Sequence, residues 1–305
     1  MSMDNPFTIT FWGVRGSYPA PGPHTARVGG NTSCIEVCTG KHTIILDAGT
    51  GIIPLGNSMV AQYQQNNKPM IATLLISHTH HDHTQGFPFF TPTYHPTTTL
   101  YVFGPKTLQD DLHLVLERAM LPPVFPITLE ELPCVRFVRN LQEGETIILN
   151  ATDPAPQILQ NGRDALPKNP DQVCIRVLRS HAHPQGVFVY RIEYAGKSIV
   201  YATDTEGYTG GDQRLIKFAR AATLLIHDAQ YLETEYASAA LPKQGWGHST
   251  WQMAVTVARA ANVEHLALFH HEPTHDDATL ERIEQEVKTV FPKTVLAREG
   301  LKIEL

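Results

Sequence analysis

The sequence predicts an α/β fold in which two β-sheets stack face to face and helices cover the outer faces, a four-layer α/β/β/α sandwich. Three observations support this class. Short apolar runs typical of strands recur in two sets, helical patterns come late in each half, and polar clusters follow several of the strands. With 305 residues, 42% of them hydrophobic, the chain is long enough to bury a large core.

The predicted strands divide the chain into two halves, and each half supplies one sheet. Helices are predicted at 250–261, after a Ser249 or Thr250 cap, and at 277–290, after acidic capping residues. The first set of strands covers residues 34–38, 43–46, 72–76, 100–103, 135–138 and 146–149, and the second covers 173–178, 187–192, 198–202, 223–226 and 265–269.

The segment 150–171 separates the two halves and is rich in Pro, Asn, Gln and Asp. We interpret it as a surface loop or lid inserted in a single domain spanning residues 1–305. A linker between two independent domains is the alternative. The single domain is favoured because the candidate metal ligands described below lie on both sides of the segment and must meet. With only Arg163 and Lys168 as positive residues, the segment suits a lid over a small substrate better than a nucleic-acid arm.

Composition narrows the function classes. A net charge of −6 with 24 Lys and Arg argues against non-specific nucleic-acid binding. No basic segment leads into an apolar run at the N-terminus, and no run reaches membrane-spanning length, so we expect no membrane association. Four scattered cysteines predict reduced thiols and a cytoplasmic location. The close pair Cys34 and Cys38 is expected to pack rather than to bind metal.

The strongest chemical signal follows the predicted strand 72–76. Three histidines, His78, His80 and His83, and the carboxylate of Asp82 stand within a single short loop. Imidazole nitrogen is a ligand for borderline metals and carboxylate oxygen for harder ones, so this loop predicts a metal site. The alternative, a polar loop that is merely rich in histidine, does not account for the apolar strand that leads into it.

The pattern His78-x-His80-x-Asp82-His83 resembles the defining metal motif of the metallo-β-lactamase superfamily. The resemblance extends along most of the chain. It matches His183 to the family's third histidine, Asp204 to its bridging carboxylate and His270 to its last histidine. His181 competes with His183 and His271 competes with His270; we favour His183 for the Pro-Gln-Gly and strand that follow it, and His270 because it directly ends a strand. His81 is expected outside the ligand set.

The resemblance implies two divalent metal ions, with Zn expected and Mn or Fe as alternatives. It places one ion on His78, His80 and His183, and the other on Asp82, His83 and His270, with Asp204 bridging. A hydroxide bridging two such ions can attack a phosphodiester, so no Ser or Cys nucleophile is required.

A second resemblance concerns the segments 226–231 and 245–250, which are similar to paired elements of the tRNase Z-type phosphodiesterase branch. It implies that Asp228 orients His248 and that His248 donates a proton to the leaving alkoxide. Asp82, Asp228 and His248 are therefore the expected catalytic residues. The tRNA-processing members of this branch usually have Glu where Asp228 stands, so the side chain's reach to His248 is expected to be shorter or bridged by water.

The N-terminal segments 11–19 and 28–33 are similar to the opening of small-molecule and cyclic-phosphate phosphodiesterases of this branch. Arg15, Ser17, Asn31 and Thr32 are the expected substrate-binding residues, with tight turns before the first hairpin as the alternative. Asp47, in a turn typical of the family, is expected to support a ligand histidine.

These observations favour a metal-dependent hydrolase of a small or cyclic phosphodiester, such as a cyclic nucleotide. The first alternative is processing of the tRNA 3′ end, in which the substrate would be a nucleic acid. The second alternative is a non-catalytic metal-binding scaffold or sensor. The sequence also leaves a homodimer open. Residues 87–90 and Tyr94 are candidates for an exposed loop that lines the pocket or a subunit contact.

Overall fold

The computed structural model describes residues 7–107, 110–160, 164, 169 and 171–305, and its strands form two mixed sheets. The first sheet has the order β15-β1-β2-β3-β4-β5-β6 and the second β14-β13-β12-β11-β10-β9-β7-β8. The strands are β1 (Phe7–Gly13), β2 (Cys34–Thr39), β3 (His42–Leu46), β4 (Met70–Leu75), β5 (Thr98–Pro105), β6 (Val135–Leu141), β7 (Glu145–Asn150), β8 (Asp153–Gln160), β9 (Val173–Ser180), β10 (Val187–Tyr194), β11 (Lys197–Ala202), β12 (Leu224–Asp228), β13 (His265–Phe269), β14 (Thr294–Leu296) and β15 (Lys302–Glu304).

Helices cover the outer face of each sheet. Within the described ranges they are α1 (Ile52–Asn66), α2 (His81–Thr84), α3 (Leu112–Ala119), α4 (Gln213–Phe218), α5 (Glu233–Tyr236), α6 (Trp251–Ala260) and α7 (Asp277–Val290). One apolar core joins the facing sides of both sheets and extends to α4, α6 and α7, and a second joins the first sheet to α1 and α3. The predicted α/β/β/α sandwich is thereby confirmed. None of the helices in this part of the chain combines the length and apolar character that a membrane crossing requires.

Parallel strands position the candidate site. β3, β4 and β5 run parallel in the first sheet, and β11, β12, β13 and β14 run parallel in the second. The carboxyl ends of parallel strands meet at one edge of a sheet, so the loops after β3, β4, β11 and β13 all emerge at the shared edge of the sandwich. The loops after β4, β11 and β13 carry predicted ligands, and the predicted ligand His183 lies in the turn between the antiparallel strands β9 and β10.

Strand β8 corrects the prediction of a loop over 150–171. It pairs antiparallel with β7 at the outer edge of the second sheet. Pro154 and Pro156 lie within β8, and prolines favour a loop prediction but are tolerated on an edge strand, where the missing N–H leaves no neighbouring strand unpaired. Arg163 and Lys168 lie outside the described residues. The lid function and the single domain 1–305 stay predictions.

One local prediction is confirmed only in part, and another is wrong. Thr250 is the N-cap residue of α6, as predicted, but its side chain makes no capping bond, and the Ser249 hydroxyl donates to the carbonyl of Thr205. The run 87–90 is not an exposed loop, because Phe87 and Phe90 are buried in the core beside α1 and only Phe89 is exposed. The apolar side chains that follow the histidine-rich loop therefore pack in the core and do not form an exposed surface.

Candidate metal centre

Several site residues lie immediately after strands, in left-handed backbone conformations. Asp47 has φ 62°, Asp204 has φ 50° and His270 has φ 61°. Residues other than glycine rarely adopt a positive φ. Such backbone strain is concentrated at functional sites, where the surrounding fold imposes it. At each of these positions the turn directs a polar side chain into the space between the two sheet edges.

One cluster consists of His78, His80 and His183, whose ligand atoms all lie within 4.8 Å of one another. His80 Nδ1 and His183 Nε2 are 3.0 Å apart. His78 Nε2 is buried and has no hydrogen-bond partner among the described residues, and it lies 3.6 Å from Asp204 Oδ1. Burial lowers the pKa of His78 well below its usual value and that of His183 to about 4, so both rings are neutral and offer nitrogen lone pairs.

A second cluster consists of Asp82, His83, Asp204 and His270. His83 Nε2 lies 3.3 Å from His270 Nε2, 3.2 Å from Asp82 Oδ2 and 3.2 Å from Asp204 Oδ2. Asp204 also reaches the first cluster, because its Oδ1 lies 4.0 Å from His183 Nε2. Asp204 therefore lies between the two clusters, where the sequence predicted a bridging carboxylate.

In three of the cluster histidines, Nδ1 points away from the cluster and lies beside a protein acceptor. His83 Nδ1 lies 2.8 Å from Asp47 Oδ2, His270 Nδ1 lies 3.0 Å from Gln230 Oε1, and His183 Nδ1 lies 3.2 Å from the Gly247 carbonyl. An acceptor at Nδ1 keeps the proton there, so the Nε2 lone pair faces the cluster. This is the tautomer that binds metal.

The charge around His83 also favours a cation. Its burial lowers the pKa of the ring, but the carboxylates of Asp82, Asp204 and Asp47 outweigh that effect and raise the pKa well above the usual value. A site lined by these carboxylates and by an unpartnered His78 nitrogen therefore fits divalent metal ions, and its mixed N and O donors are compatible with Zn, Mn or Fe.

Beside the clusters, His248 Nδ1 contacts Asp228 Oδ2 directly at 2.7 Å, so no bridging water is needed. The other carboxylate oxygen of Asp228 accepts hydrogen bonds from the backbone N–H groups of Gln230 and Ser249. The His248 ring stacks on His270 with centroids 5.0 Å apart. Burial lowers the pKa of His248, but Asp228 outweighs it and raises the pKa to about 9, which leaves His248 protonated near neutral pH.

The competing histidines lie outside the clusters. His81 and His181 are exposed. His271 is buried, and its Nε2 donates to the carbonyl of Ala297 at 2.9 Å. The structure thus brings His183 and His270 into the clusters, and not their neighbours.

The predicted substrate-binding residues separate into two groups. Arg15 is fully buried, and its guanidinium donates to the carbonyls of Gly29 and His275 at 2.8 and 2.7 Å, while buried Thr32 bonds to Thr50. The role expected for Arg15 and Thr32 is corrected, because both side chains are buried and most of their polar atoms join loops inside the protein; Arg15 Nη2 alone is buried without a hydrogen-bond partner among the described residues.

Ser17 and Asn31 stay candidates for substrate binding. Ser17 is exposed, and its backbone N–H donates to Asp82 Oδ2 at 2.7 Å, so this turn touches the second cluster. The Asn31 side chain donates to Glu299 at 3.0 Å.

A cleft of about 590 Å³ opens beside His183, and sequence reasoning missed the side chains of Arg179, Glu206 and Tyr208 that line it. Glu206 accepts hydrogen bonds from the backbone N–H groups of Gly245 and Gly247 at 2.8 and 2.9 Å, and so fixes the loop that leads to His248. No local pattern distinguishes these residues in the sequence, because their position depends on how separate loops pack.

Gly247 is required where it stands. Its φ is 90°, and a Cβ would come within 2.1 Å of His183 Nδ1. Only glycine lets the backbone carbonyl approach this ring closely enough to accept its proton.

Two stacked sheets that carry clustered histidines and aspartates at one edge define a metal-dependent hydrolase. Residues 42–271 match the family model described as Beta-lactamase superfamily domain, and the chain belongs to this superfamily. Ribonuclease Z of Picrophilus torridus is 26% identical over 336 aligned positions, which cover 98% of this chain and 96% of the relative.

Solved structures share the fold. The metallo-β-lactamase fold protein YhfI of Bacillus subtilis is 19% identical, with a TM-score of 0.66 over 99% of this chain and 100% of that one. A diphosphatase of the PhnP family is 16% identical, with a TM-score of 0.62 over 98% of this chain and 97% of that one. These structures show the shared fold, and the family-model match over residues 42–271 confirms the resemblance inferred from the metal motif.

Proposed function

We propose that the chain is a phosphodiesterase that hydrolyses small or cyclic phosphodiesters, such as cyclic nucleotides. The observation that carries the proposal is the Asp228–His248 pair, 2.7 Å apart, beside the clustered ligands. A leaving alkoxide needs a proton, and a buried, protonated imidazole next to the reacting centre supplies one. A lactam or thiolester hydrolase would have little use for this pair.

In this proposal His78, His80 and His183 would hold one divalent ion and Asp82, His83 and His270 the second, with Asp204 available to both; Zn is the expected metal. Such ions would neutralise phosphoryl oxygens and lower the pKa of a water molecule.

The chain's own side chains supply the proton, position the proton donor and bind the substrate. His248 donates its proton to the leaving oxygen, and Asp228 holds the ring in position and keeps it charged. Arg179 lines the cleft beside His183 and offers a cation to the non-reacting part of the phosphodiester. Asp82 receives the Ser17 N–H, which ties the N-terminal turn to the reacting centre.

Cleavage of precursor tRNA is a second candidate. It is favoured by the ribonuclease Z of Picrophilus torridus, which this chain matches over nearly its full length. The net charge of −6 argues against a tRNA-sized anion as substrate. A metal-binding scaffold without turnover is less consistent with a paired His248 beside the clusters.

The test compares metal-analysed wild type, Asp204→Ala and His248→Ala on bis(p-nitrophenyl) phosphate, cyclic nucleotides and precursor tRNA. Asp204→Ala should abolish turnover. His248→Ala should slow cyclic-nucleotide hydrolysis by about 10²- to 10⁴-fold, and slow p-nitrophenyl ester hydrolysis much less, because p-nitrophenolate leaves without a proton.

His81→Ala is the matched control, since this exposed histidine neighbours His80 and Asp82 but lies outside the clusters; its turnover should equal that of wild type. Faster cleavage of precursor tRNA than of any small diester would favour the second candidate. Two bound metal ions without turnover of any diester would refute both.

A further inference from the structure

A second cavity, of about 580 Å³, lies between α4 and the strands β9 and β10. Its lining is unusually cationic for a chain with 24 Lys and Arg and a net charge of −6. Five of its side chains carry positive charge: Arg176, Arg191, Arg214, Lys217 and Arg220. Among the described residues, the rest of the lining is apolar and consists of Leu178, Phe218 and Ala221.

Neighbouring carboxylates neutralise only part of this charge. Glu193 Oε1 lies 2.6 Å from Arg176 Nη2 and 2.9 Å from Arg191 Nε, so one carboxylate serves two arginines. Glu143 pairs with Arg214. Among the described residues, Lys217 and Arg220 form no ion pair. The cavity therefore keeps an excess of positive charge.

Two of the cavity's arginines face each other across the sheet. Arg176 on β9 lies directly opposite Arg191 on β10, and like charges at opposed positions destabilise a sheet, here offset by the single carboxylate of Glu193. Arg191 has a structural role, since its Nη1 donates to the Phe218 and Arg220 carbonyls at the end of α4. Arg176 has no comparable role: its Nε is buried and without a hydrogen-bond partner in the described part of the chain. An anion would satisfy that group.

We propose that this cavity binds the phosphate group of a nucleotide. Guanidinium groups bind phosphate through paired, charge-assisted hydrogen bonds, and Phe218 with Leu178 supplies an apolar wall for a base. The volume lies in the range of ordinary small-molecule sites. This inference does not depend on the proposed phosphodiesterase function.

Two ligands present the same phosphate and base to the cavity: a free nucleotide, or one nucleotide unit of an RNA strand. The cavity and the active-site cleft are adjacent. Arg214 lines the cavity, and its Nη1 donates to the carbonyl of Arg179, which lines the cleft, at 3.1 Å. An RNA strand in the cleft would therefore need to pass only these two side chains to enter the cavity.

The test is isothermal titration of the metal-loaded protein with AMP, adenosine, inorganic phosphate and a short 5′-phosphorylated oligoribonucleotide. Wild type is compared with the double variant Lys217→Gln/Arg220→Gln, whose side chains are exposed and unpaired. A matched control, Lys68→Gln/Lys302→Gln, removes the same charge from exposed positions outside the cavity. Turnover of bis(p-nitrophenyl) phosphate, followed in parallel, reports on the metal centre and should be equal in all three proteins.

AMP affinity should fall by about tenfold or more in the cavity variant, because two charge-assisted contacts are lost, and adenosine should bind far more weakly than AMP to wild type. A loss confined to the oligoribonucleotide would assign the cavity to an RNA strand. Unchanged affinity for both ligands, or an equal loss in the control variant, would overturn the proposal. AMP that binds in the cleft instead would inhibit turnover equally in all three proteins. Absence of turnover in all three proteins would count against the proposed phosphodiesterase function, whereas the AMP affinities test the cavity independently.

Discussion

Asp47 supports the second cluster from outside, by contacting the ring nitrogen of His83 that points away from the other ligands. Its Oδ2 accepts hydrogen bonds from His83 Nδ1, the Ser77 hydroxyl and the Tyr201 hydroxyl at 2.7 to 2.8 Å. The carboxylate therefore fixes both the orientation and the tautomer of His83, which is a support that metal-binding histidines usually have. The sequence predicted this role only through the family-like turn after β3.

Asp47→Asn should weaken metal binding by about 10- to 100-fold. An asparagine tolerates the positive φ of this position, but its NH₂ group cannot accept the proton of His83 Nδ1 if it takes the place of Oδ2. Metal affinity measured against a competing chelator checks the prediction. Asp228→Asn is the counterpart, because Asp228 supports His248: it should lower turnover at unchanged metal affinity. Equal metal affinity in Asp47→Asn and wild type would show that the tautomer of His83 does not need this carboxylate.

At the scale of elements, the sequence predicted most of the strands. Every predicted strand overlaps an observed one, and these include β6 at a sheet edge. The interior strand β1 was not predicted, although its apolar residues alternate with threonines. α1 was missed, because Pro54 and Gly56 near its start hide the helical period. The short edge strands β14 and β15 were missed as well, because three residues carry too little pattern.

Helix α4 forms one wall of the basic cavity and depends on its first residue. Asp212 Oδ1 accepts hydrogen bonds from the backbone N–H groups of Arg214 and Leu215 at 2.8 and 3.2 Å. Asp212→Ala should lower the free energy of unfolding by about 1 kcal/mol, and Asp212→Asn by much less, because asparagine caps nearly as well. Urea unfolding of the three proteins measures the difference. Equal losses in both variants would mean that the charge, and not the capping bond, stabilises the helix.

For the whole molecule, the order of the clusters along the chain predicted that they would meet, and the parallel strands explain how. His78 follows β4, Asp204 follows β11 and His270 follows β13, so two sheets deliver their ligands to one edge. Sequence patterns could not predict Arg179 or Glu206, nor the buried position of Arg15, since these depend on loops from both halves packing together.

The same convergence predicts that metal ions stabilise the whole fold. Without a cation, the carboxylates of Asp82 and Asp204 remain buried beside one another, and His78 Nε2 is buried without a hydrogen-bond partner among the described residues. At a metal concentration about a hundredfold above Kd, binding contributes about 2.7 kcal/mol. A chelator should therefore lower Tm by several degrees, and added Zn²⁺ should restore it. Differential scanning calorimetry of the wild type tests this, with His181→Ala as a control that should show the same shift. Identical Tm values before and after verified metal removal would mean that these ligands are held in place by the two sheets alone.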